Sequence, residues 1–288
     1  MLTRPALSTR RLRAYLDRFV QAYDYDGHLR RDPLHLVLPY EDPADREVAG
    51  FLAACLAYGI VKRVVHSVKD VLGRLGPRPA EALRSFDFDD KRFKGFLHRM
   101  TGEVELRALC TAMGGVLRRH GSLEGLFAEG HDGPTVRAGL EHLVETVRPD
   151  AMSFIGKKRV DWHRRRIKFL LPSPKDGGAC KRMNLWLRWM IRRTRPDRGA
   201  WTAARPSELV IPLDTHIIRL SRFMGFTARA TPDWKMAEEI TSVLRRLDPE
   251  DPMKYDFALC HLGISGDCRH ERDATVCAPC PIEKACRL

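Results

Sequence analysis

The sequence predicts an all-α protein. Apolar residues recur at the i, i+3, i+4 spacing of an amphipathic helix along most of the chain. Alternating strand patterns are nearly absent, and so are Asn-Gly or Asp-Gly turns between apolar runs. With 288 residues, of which 44% are hydrophobic, the chain is long enough to bury a large core, as one domain or as two lobes.

The N-terminal half of the chain contains five helical stripes. Ser8 or Thr9 is placed to cap the first of the predicted helices, and Pro149 is expected to end the last one. The second stripe is expected to continue past Gly59 to residue 68. The five stripes cover residues 12–23, 48–56, 93–100, 106–117 and 136–147.

The C-terminal half is divided by two irregular connections. Residues 171–178 and 195–212 are rich in proline and glycine, which favour turns. Helical stripes resume at 217–221 and 236–247. No internal repeat and no low-complexity segment interrupts this pattern.

The net charge of +13 favours a polyanionic partner. One basic run, residues 157–168, holds seven Lys or Arg around Trp162, and a second, residues 181–198, holds seven more, interleaved with Trp186 and Trp189. A single run is equally consistent with a solvated face, but two successive runs with embedded aromatic residues favour nucleic acid. The candidate phosphate contacts are Lys157, Lys158, Arg164, Arg165, Arg166, Arg182 and Arg188.

No segment predicts a membrane partner. No stretch approaches the roughly 20 apolar residues that a membrane span needs. No apolar run follows the positive charge of Arg4, so we expect no signal peptide. The sequence therefore predicts a soluble cytoplasmic protein.

Four of the eight cysteines crowd into residues 268–286, and without an export signal this clustering favours metal ligation over disulfides. Four thiolates in one loop can surround an iron–sulfur cube or a tetrahedral zinc ion. A zinc ribbon pairs two CxxC knuckles, whereas only Cys277 and Cys280 form one here. The spacing is Cys268-x8-Cys277-x2-Cys280-x5-Cys286. Buried, reduced thiols are expected at Cys55, Cys110, Cys180 and Cys260.

Two further segments contain candidate reactive side chains. Asp214 opens an apolar helix in residues 212–219 (PLDTHIIR), where an aspartate is also a good N-cap. Lys181 follows two glycines in residues 177–184 (GGACKRMN) and lies in a basic run, where a phosphate contact is the commoner role of a lysine. An amine and a carboxylate that face one cleft can perform nucleophilic and acid–base chemistry together.

These segments resemble the helix-hairpin-helix DNA glycosylase superfamily, and within it the endonuclease III-like enzymes with an iron–sulfur loop. The cysteine spacing is similar to their C-x6-C-x2-C-x5-C loop, with a longer first gap. Residues 212–219 resemble their V-D-T-H-[IV]-x-R motif, and residues 177–184 resemble the G-x-G-x-K-T-A-N end of their hairpin. The connection between these two motifs is longer than in endonuclease III, as it is in the archaeal 8-oxoguanine glycosylases, a divergent branch. The chain resembles that branch, or an uncharacterised sister of it, more than endonuclease III.

The resemblance implies a role for each group of residues. A [4Fe-4S] cluster would be held by Cys268, Cys277, Cys280 and Cys286, in a loop whose Arg269 meets a DNA phosphate. Lys181 would be the nucleophile of a bifunctional glycosylase. Asp214 would be the carboxylate that stabilises positive charge at the deoxyribose C1′.

The resemblance also implies an architecture and a function. Residues 38–200 would form a helical barrel lobe that ends in the hairpin-like element, and residues 201–288 would join the N-terminal segment 1–37 in an iron–sulfur lobe. The protein would be a monomeric, nucleoid-associated DNA repair glycosylase with lyase activity at abasic sites, acting on double-stranded DNA with a flipped damaged base. The residues leave open a non-catalytic, iron–sulfur-stabilised DNA- or RNA-binding module, and zinc in place of the cluster.

Overall fold

The structure is a computed structural model that describes residues 4–155, 160–265, 268, 271 and 273–288. The all-α prediction is confirmed, because the described residues contain a single two-stranded hairpin and are otherwise helical or irregular. No helix in this part of the chain is long and apolar enough to cross a membrane. The helices are α1 (Thr9–Gln21), α2 (Tyr25–Leu29), α3 (Pro43–Cys55), α4 (Val61–Leu75), α5 (Pro79–Arg84), α6 (Glu103–His120), α7 (Leu123–Glu129), α8 (Arg137–Phe154), α9 (Val160–Leu170), α10 (Lys181–Ile191), α11 (Thr215–Met224), α12 (Trp234–Leu247), α13 (Asp256–Ile264) and α14 (Ala274–Cys277).

The hairpin and several short helices connect these elements. Strands β1 (Leu97–His98) and β2 (Thr101–Gly102) pair antiparallel. Short 3-10 helices cover Pro33–Leu36, Pro174–Asp176, Pro206–Glu208 and Pro252–Tyr255. Each of the four begins with a proline, whose fixed φ suits the first helical position and whose missing N–H would be unpaired there in any case.

Helix α3 contacts several neighbouring helices, and these contacts position α10. It packs against α10, α5, α7 and the 3-10 helix Pro33–Leu36. Its contact with α10 is close: a Cβ added to Gly50 would lie 2.8 Å from Met190 Cε and 3.3 Å from Trp186 Cδ1. Glycine at this position therefore lets the two helices approach, and α3 holds the start of α10 in place.

The N-terminal helix α1 packs beside the C-terminal elements. It contacts α12 and the 3-10 helix Pro252–Tyr255, where the Tyr255 hydroxyl donates a hydrogen bond of 2.8 Å to Asp17. The following 3-10 helix, Pro33–Leu36, packs instead on α3 and α4. The first 37 residues thus contact α3 and α4 as well as the C-terminal helix α12. The expected boundary between two lobes stays a prediction.

Three local expectations were wrong. Residues 93–100 do not form a helix, because Gly95 adopts a φ of +75° and the chain then turns into the β1–β2 hairpin. Helix α3 ends at Cys55, and α4 begins at Val61 after Gly59 with φ of +96°. Pro149 does not end its helix but lies inside α8, which continues to Phe154.

Candidate active site

The loop before α10 fixes the position of Lys181. The loop contains the 3-10 helix Pro174–Asp176, and Gly177 and Cys180 follow with φ of +78° and +48°. Asp176 is held by Arg148 at 2.7 Å and by Lys168 at 2.9 Å. These contacts hold the loop against α8 and α9. Lys181, the first residue of α10, follows directly after this loop, so its position is fixed as well.

Asp214 caps α11 and faces Lys181. One carboxylate oxygen, Oδ1, accepts the backbone N–H groups of His216 at 2.9 Å and Ile217 at 2.8 Å. The other oxygen, Oδ2, lies 3.6 Å from Lys181 Nζ and accepts the Cys260 thiol at 3.3 Å. The cap predicted from sequence is confirmed, and it leaves Oδ2 directed towards the amine.

Lys181 and Asp214 lie on one cavity that is built from several distant segments. Lys181 is 38% exposed and Asp214 only 10%, so the amine lies nearer the solvent. Burial, and then the neighbouring Asp214 carboxylate, raise the pKa of Cys260 well above its ordinary value, which keeps this thiol protonated as a donor. The remaining lining residues are Asp32, Pro33, Ala57, Gly59, Val61, Val64, Leu185, Arg188, Pro212, Asp256, Phe257, His261 and Ile264.

A buried ion-pair network lies at the base of this cavity. The Arg188 guanidinium donates to Asp256, and its Nη2 lies 3.2 Å from Asp197 Oδ1. Arg188 is 3% exposed. Burial raises the pKa of Asp256 to about 6, although the Arg188 charge opposes the shift. The network thus contributes two charged side chains, Arg188 and Asp256, to the lining of the cavity.

The structure corrects two predicted phosphate contacts. Arg182 is buried and donates to the carbonyl oxygens of Cys55 and Phe169, with its guanidinium 3.9 Å from the centre of the Phe169 ring. Arg188 is buried in the network described above. Neither side chain can reach a DNA backbone, because Arg182 is enclosed by carbonyl oxygens and an aromatic ring, and Arg188 by two carboxylates.

The exposed cations of the first basic run lie on α9. Arg164 and Arg165 are exposed. Arg166 is 29% exposed, and its guanidinium lies 3.8 Å from the centre of the Trp162 ring and 3.6 Å from Glu105. Trp162 itself is half exposed. Of the remaining predicted contacts, Lys157, Lys158 and Arg269 lie outside the described residues.

The four C-terminal cysteines line a second cavity. No two cysteines in the described part of the chain form a disulfide. Burial, and then the neighbouring thiols of Cys268, Cys277 and Cys286, raise the pKa of Cys280. Among the described residues, no group of three or more His, Cys, Asp or Glu side chains is arranged to hold a metal ion. The cavity is lined by Cys268, Cys277, Cys280, Cys286, Leu220, Phe223, Leu262, Glu271, Val276, Ile282, Glu283 and Leu288.

Four cavity residues were not found as site residues from sequence. Cys260 was predicted to be a buried small residue, but its thiol contacts Asp214. Asp32, Asp256 and His261 line the same cavity. The only available signal was their residue type, since nothing in the spacing connects residue 32 with residues 256–261.

The described site lies within a segment shared with a protein family. The chain belongs to the family described as Protein of unknown function (DUF2400), whose model matches residues 32–265. The matched segment contains Asp32, Lys181, Asp214 and His261 and ends before Cys268. No curated protein and no solved structure matches the chain.

Proposed function

We propose that the protein is a DNA glycosylase with lyase activity at abasic sites, a divergent member of the helix-hairpin-helix glycosylase superfamily. The observation that carries the proposal is the 3.6 Å separation of Lys181 Nζ and Asp214 Oδ2 on one cavity. The two residues lie 33 positions apart in the sequence and were selected separately, from different motifs. Their convergence is what a reaction with an amine nucleophile and a carboxylate requires.

The contacts of Asp214 suit this chemistry. Its Oδ1 is fully used by the helix cap, so Oδ2 is the oxygen that would accept the Lys181 proton and then face the cationic C1′. Lys181 Nζ would attack C1′ as the bond to the base breaks and the base leaves with that electron pair. The C1′–O4′ bond of the sugar ring would then open, with O4′ taking up a proton, and the amine would remain joined to C1′ as a Schiff base. The Cys260 thiol donor orients Oδ2.

The exposed face of α9 would contact the DNA backbone. Arg164, Arg165 and Arg166 lie within one helical turn, and half-exposed Trp162 offers an apolar surface beside them. Phosphate contacts position a protein on DNA without reading its sequence. Duplex DNA containing a flipped damaged base is accordingly the proposed partner.

The proposed cofactor is a [4Fe-4S] cluster on Cys268, Cys277, Cys280 and Cys286. The donor set fits this group, since four thiols line one cavity whose other walls are largely apolar, as Leu220, Phe223, Leu262 and Ile282 show. When bound, the cluster would hold the C-terminal loop in place and take no part in base removal. Iron and sulfide analysis of anaerobically prepared protein separates it from zinc, and Cys277→Ser should remove the bound metal.

The proposed function is tested with a panel of lesion-containing duplexes, followed by borohydride trapping of the covalent adduct. Lys181→Gln should abolish the adduct while duplex binding is kept. Asp214→Asn should slow base release by a factor on the order of 10² or more. The matched control is Lys175→Gln, an exposed lysine in the same loop, 3.6 Å from Glu145.

Two outcomes would redirect the proposal. An adduct that survives Lys181→Gln but is abolished in Lys175→Gln would move the nucleophile to Lys175. Duplex binding by the wild type without activity on any lesion would favour the non-catalytic binding module. Melting curves must accompany Asp214→Asn, because a weakened cap costs about 1 kcal/mol of stability.

A further inference from the structure

The same cavity contains a histidine that the proposed function does not use. His261 follows Cys260 on α13 and lines the cavity of Lys181 and Asp214. It also lines two further cavities. The side chain is only 9% exposed, and its environment is therefore set by the protein.

Contacts with Phe257 determine which nitrogen of His261 is basic. Nδ1 lies 3.0 Å from the Phe257 carbonyl oxygen, which can only accept a hydrogen bond. Nδ1 therefore carries the hydrogen, and in the neutral ring Nε2 holds the lone pair. The Phe257 ring stacks on the imidazole with centroids 4.0 Å apart, so one residue fixes both the tautomer and the ring plane.

Asp32 faces the basic nitrogen. Its Oδ1 accepts the Leu34 N–H at 2.8 Å, at the start of the 3-10 helix Pro33–Leu36. Its Oδ2 lies 3.6 Å from His261 Nε2. Protonation of Nε2 would thus place an imidazolium beside a carboxylate that the backbone already holds, and the new charge would be compensated.

Burial, more than the charged groups around it, keeps the His261 ring neutral at pH 7. Burial lowers the pKa of His261 below its ordinary range, and the Asp32 carboxylate only partly offsets this effect. His28 of α2 and Arg188 of α10 lower it further. The same cavity also holds Lys181, Asp214 and Asp256. A neutral imidazole with a fixed lone pair is the form that a general base requires.

We propose that His261 is the general base of the lyase step, removing the C2′ proton of a deoxyribose held on Lys181, with Asp32 as its positioning residue. This inference rests on the proposed function. The C2′–H bond breaks and the proton goes to His261 Nε2. The electron pair forms the C2′=C3′ double bond, and the C3′–O bond breaks as the 3′ phosphate leaves with its electrons.

The test separates adduct formation from elimination. A duplex with a preformed abasic site is used under single-turnover conditions, and the borohydride-trapped adduct and the strand cleavage are measured in parallel. His261→Gln should form the adduct at the wild-type rate and cleave the strand more slowly, by roughly 10²–10⁴. The control is His66→Gln, because His66 is exposed on α4, lines none of the three cavities that His261 lines, and its replacement should leave both rates unchanged.

Two additional measurements distinguish a catalytic role from a structural one. Wild-type cleavage should slow as the pH falls below the ordinary histidine range, while adduct formation on the abasic sugar is followed separately at each pH. Asp32→Asn should retain the adduct and slow cleavage less than His261→Gln does. Free imidazole should restore part of the cleavage by His261→Ala, which leaves room beside Asp32.

The outcomes are distinct. Cleavage at the wild-type rate by His261→Gln, with the adduct unchanged, would overturn this proposal and leave the proposed function intact. Loss of both adduct and cleavage in His261→Gln would make His261 structural and overturn the proposal as well. No adduct with the wild type would remove the proposed function itself, and the role of His261 with it.

Discussion

The two basic runs of the sequence have the same number of cations, but the arginines of α9 in the first run and two arginines of the second run differ sharply in burial. In the first run, Arg164 and Arg165 lie exposed on α9. In the second run, Arg188 and Arg192 are 3% and 4% exposed and share Asp197 as a partner. Charge density along the chain therefore does not distinguish a surface for a polyanion from an internal ion-pair network.

The difference arises from the apolar residues around each run and from distant acids. Trp186 and Met190 carry α10 into the core against α3, and its arginines are buried with them. Arg192 Nε lies 2.9 Å from Asp251 Oδ1, and Arg188 donates to Asp256. These acids lie 59 and 68 positions away in sequence, where the spacing gives no sign of the contacts.

The largest expected effect is on the buried arginines of the second run. Arg188→Ala leaves Asp197 and Asp256 buried without their shared cation, and should lower the free energy of unfolding by about 3–5 kcal/mol. Arg164→Ala, on the exposed face of α9, should change it by no more than about 0.5 kcal/mol. Urea denaturation measures both. Equal decreases in the two variants would mean that the contrast between the runs has no energetic basis.

The pH dependence of stability tests the same contrast between buried and exposed charges. Burial raises the pKa of Asp256 to about 6, from an ordinary value of 3.8. Above about pH 6 the native state therefore contains a buried carboxylate charge that lowers its stability. As the pH falls through about 6, the native carboxyl takes up a proton while the unfolded one does not. Wild-type stability relative to Asp256→Asn should therefore rise from about pH 8 to about pH 5.

An exposed aspartate serves as the control for the titration of the other carboxylates. Asp89 is exposed, and Asp89→Asn should show no such change relative to wild type. Both variants are unfolded in urea at each pH. A difference between wild type and Asp256→Asn that stays constant over this range would show that Asp256 is ionised throughout, and that Arg188 compensates its charge fully.

The smallest expected effect is on the exposed arginines of α9. Replacing Arg164 and Arg165 together with Ala should weaken duplex binding and flatten its salt dependence, by roughly 0.9 in the log–log slope for each phosphate that is no longer neutralised. The tandem pair Arg10 and Arg11 on α1 is equally exposed and serves as the control. An unchanged slope in the α9 variant, measured by fluorescence anisotropy, would mean that these arginines are only solvated.

Sequence patterns predicted the helices well where the apolar stripe was long. The stripes at 106–117 and 236–247 lie inside α6 and α12, and the one at 136–147 begins at the N-cap residue of α8 and continues inside that helix. The stripe at 93–100 did not become a helix, because Gly95 takes a positive φ and the hairpin follows. A short stripe is too weak a signal to outweigh one glycine in a left-handed conformation.

The residues of the candidate site also differ in how far the sequence alone predicts them. Lys181 and Asp214 could be named because each lies in a recognisable local segment, and the cap of Asp214 follows from its place before an apolar run. Asp32 and His261 could not be paired in advance. Their contact depends on Pro33–Leu36 packing on α3 and α4 and on the position of α13, which are decided by the whole core.

The sequence by itself determined the helical class, the Asp214 cap and the grouping of four cysteines near the C-terminus, because each depends on residues within a few turns of one another. Tertiary structure alone decided that Lys181 meets Asp214, that Arg182 and Arg188 are enclosed, and that His261 faces Asp32. The physical reason is that a side chain's charge and reactivity depend on its solvent exposure and its partners. Both are set by contacts between segments that are far apart along the chain.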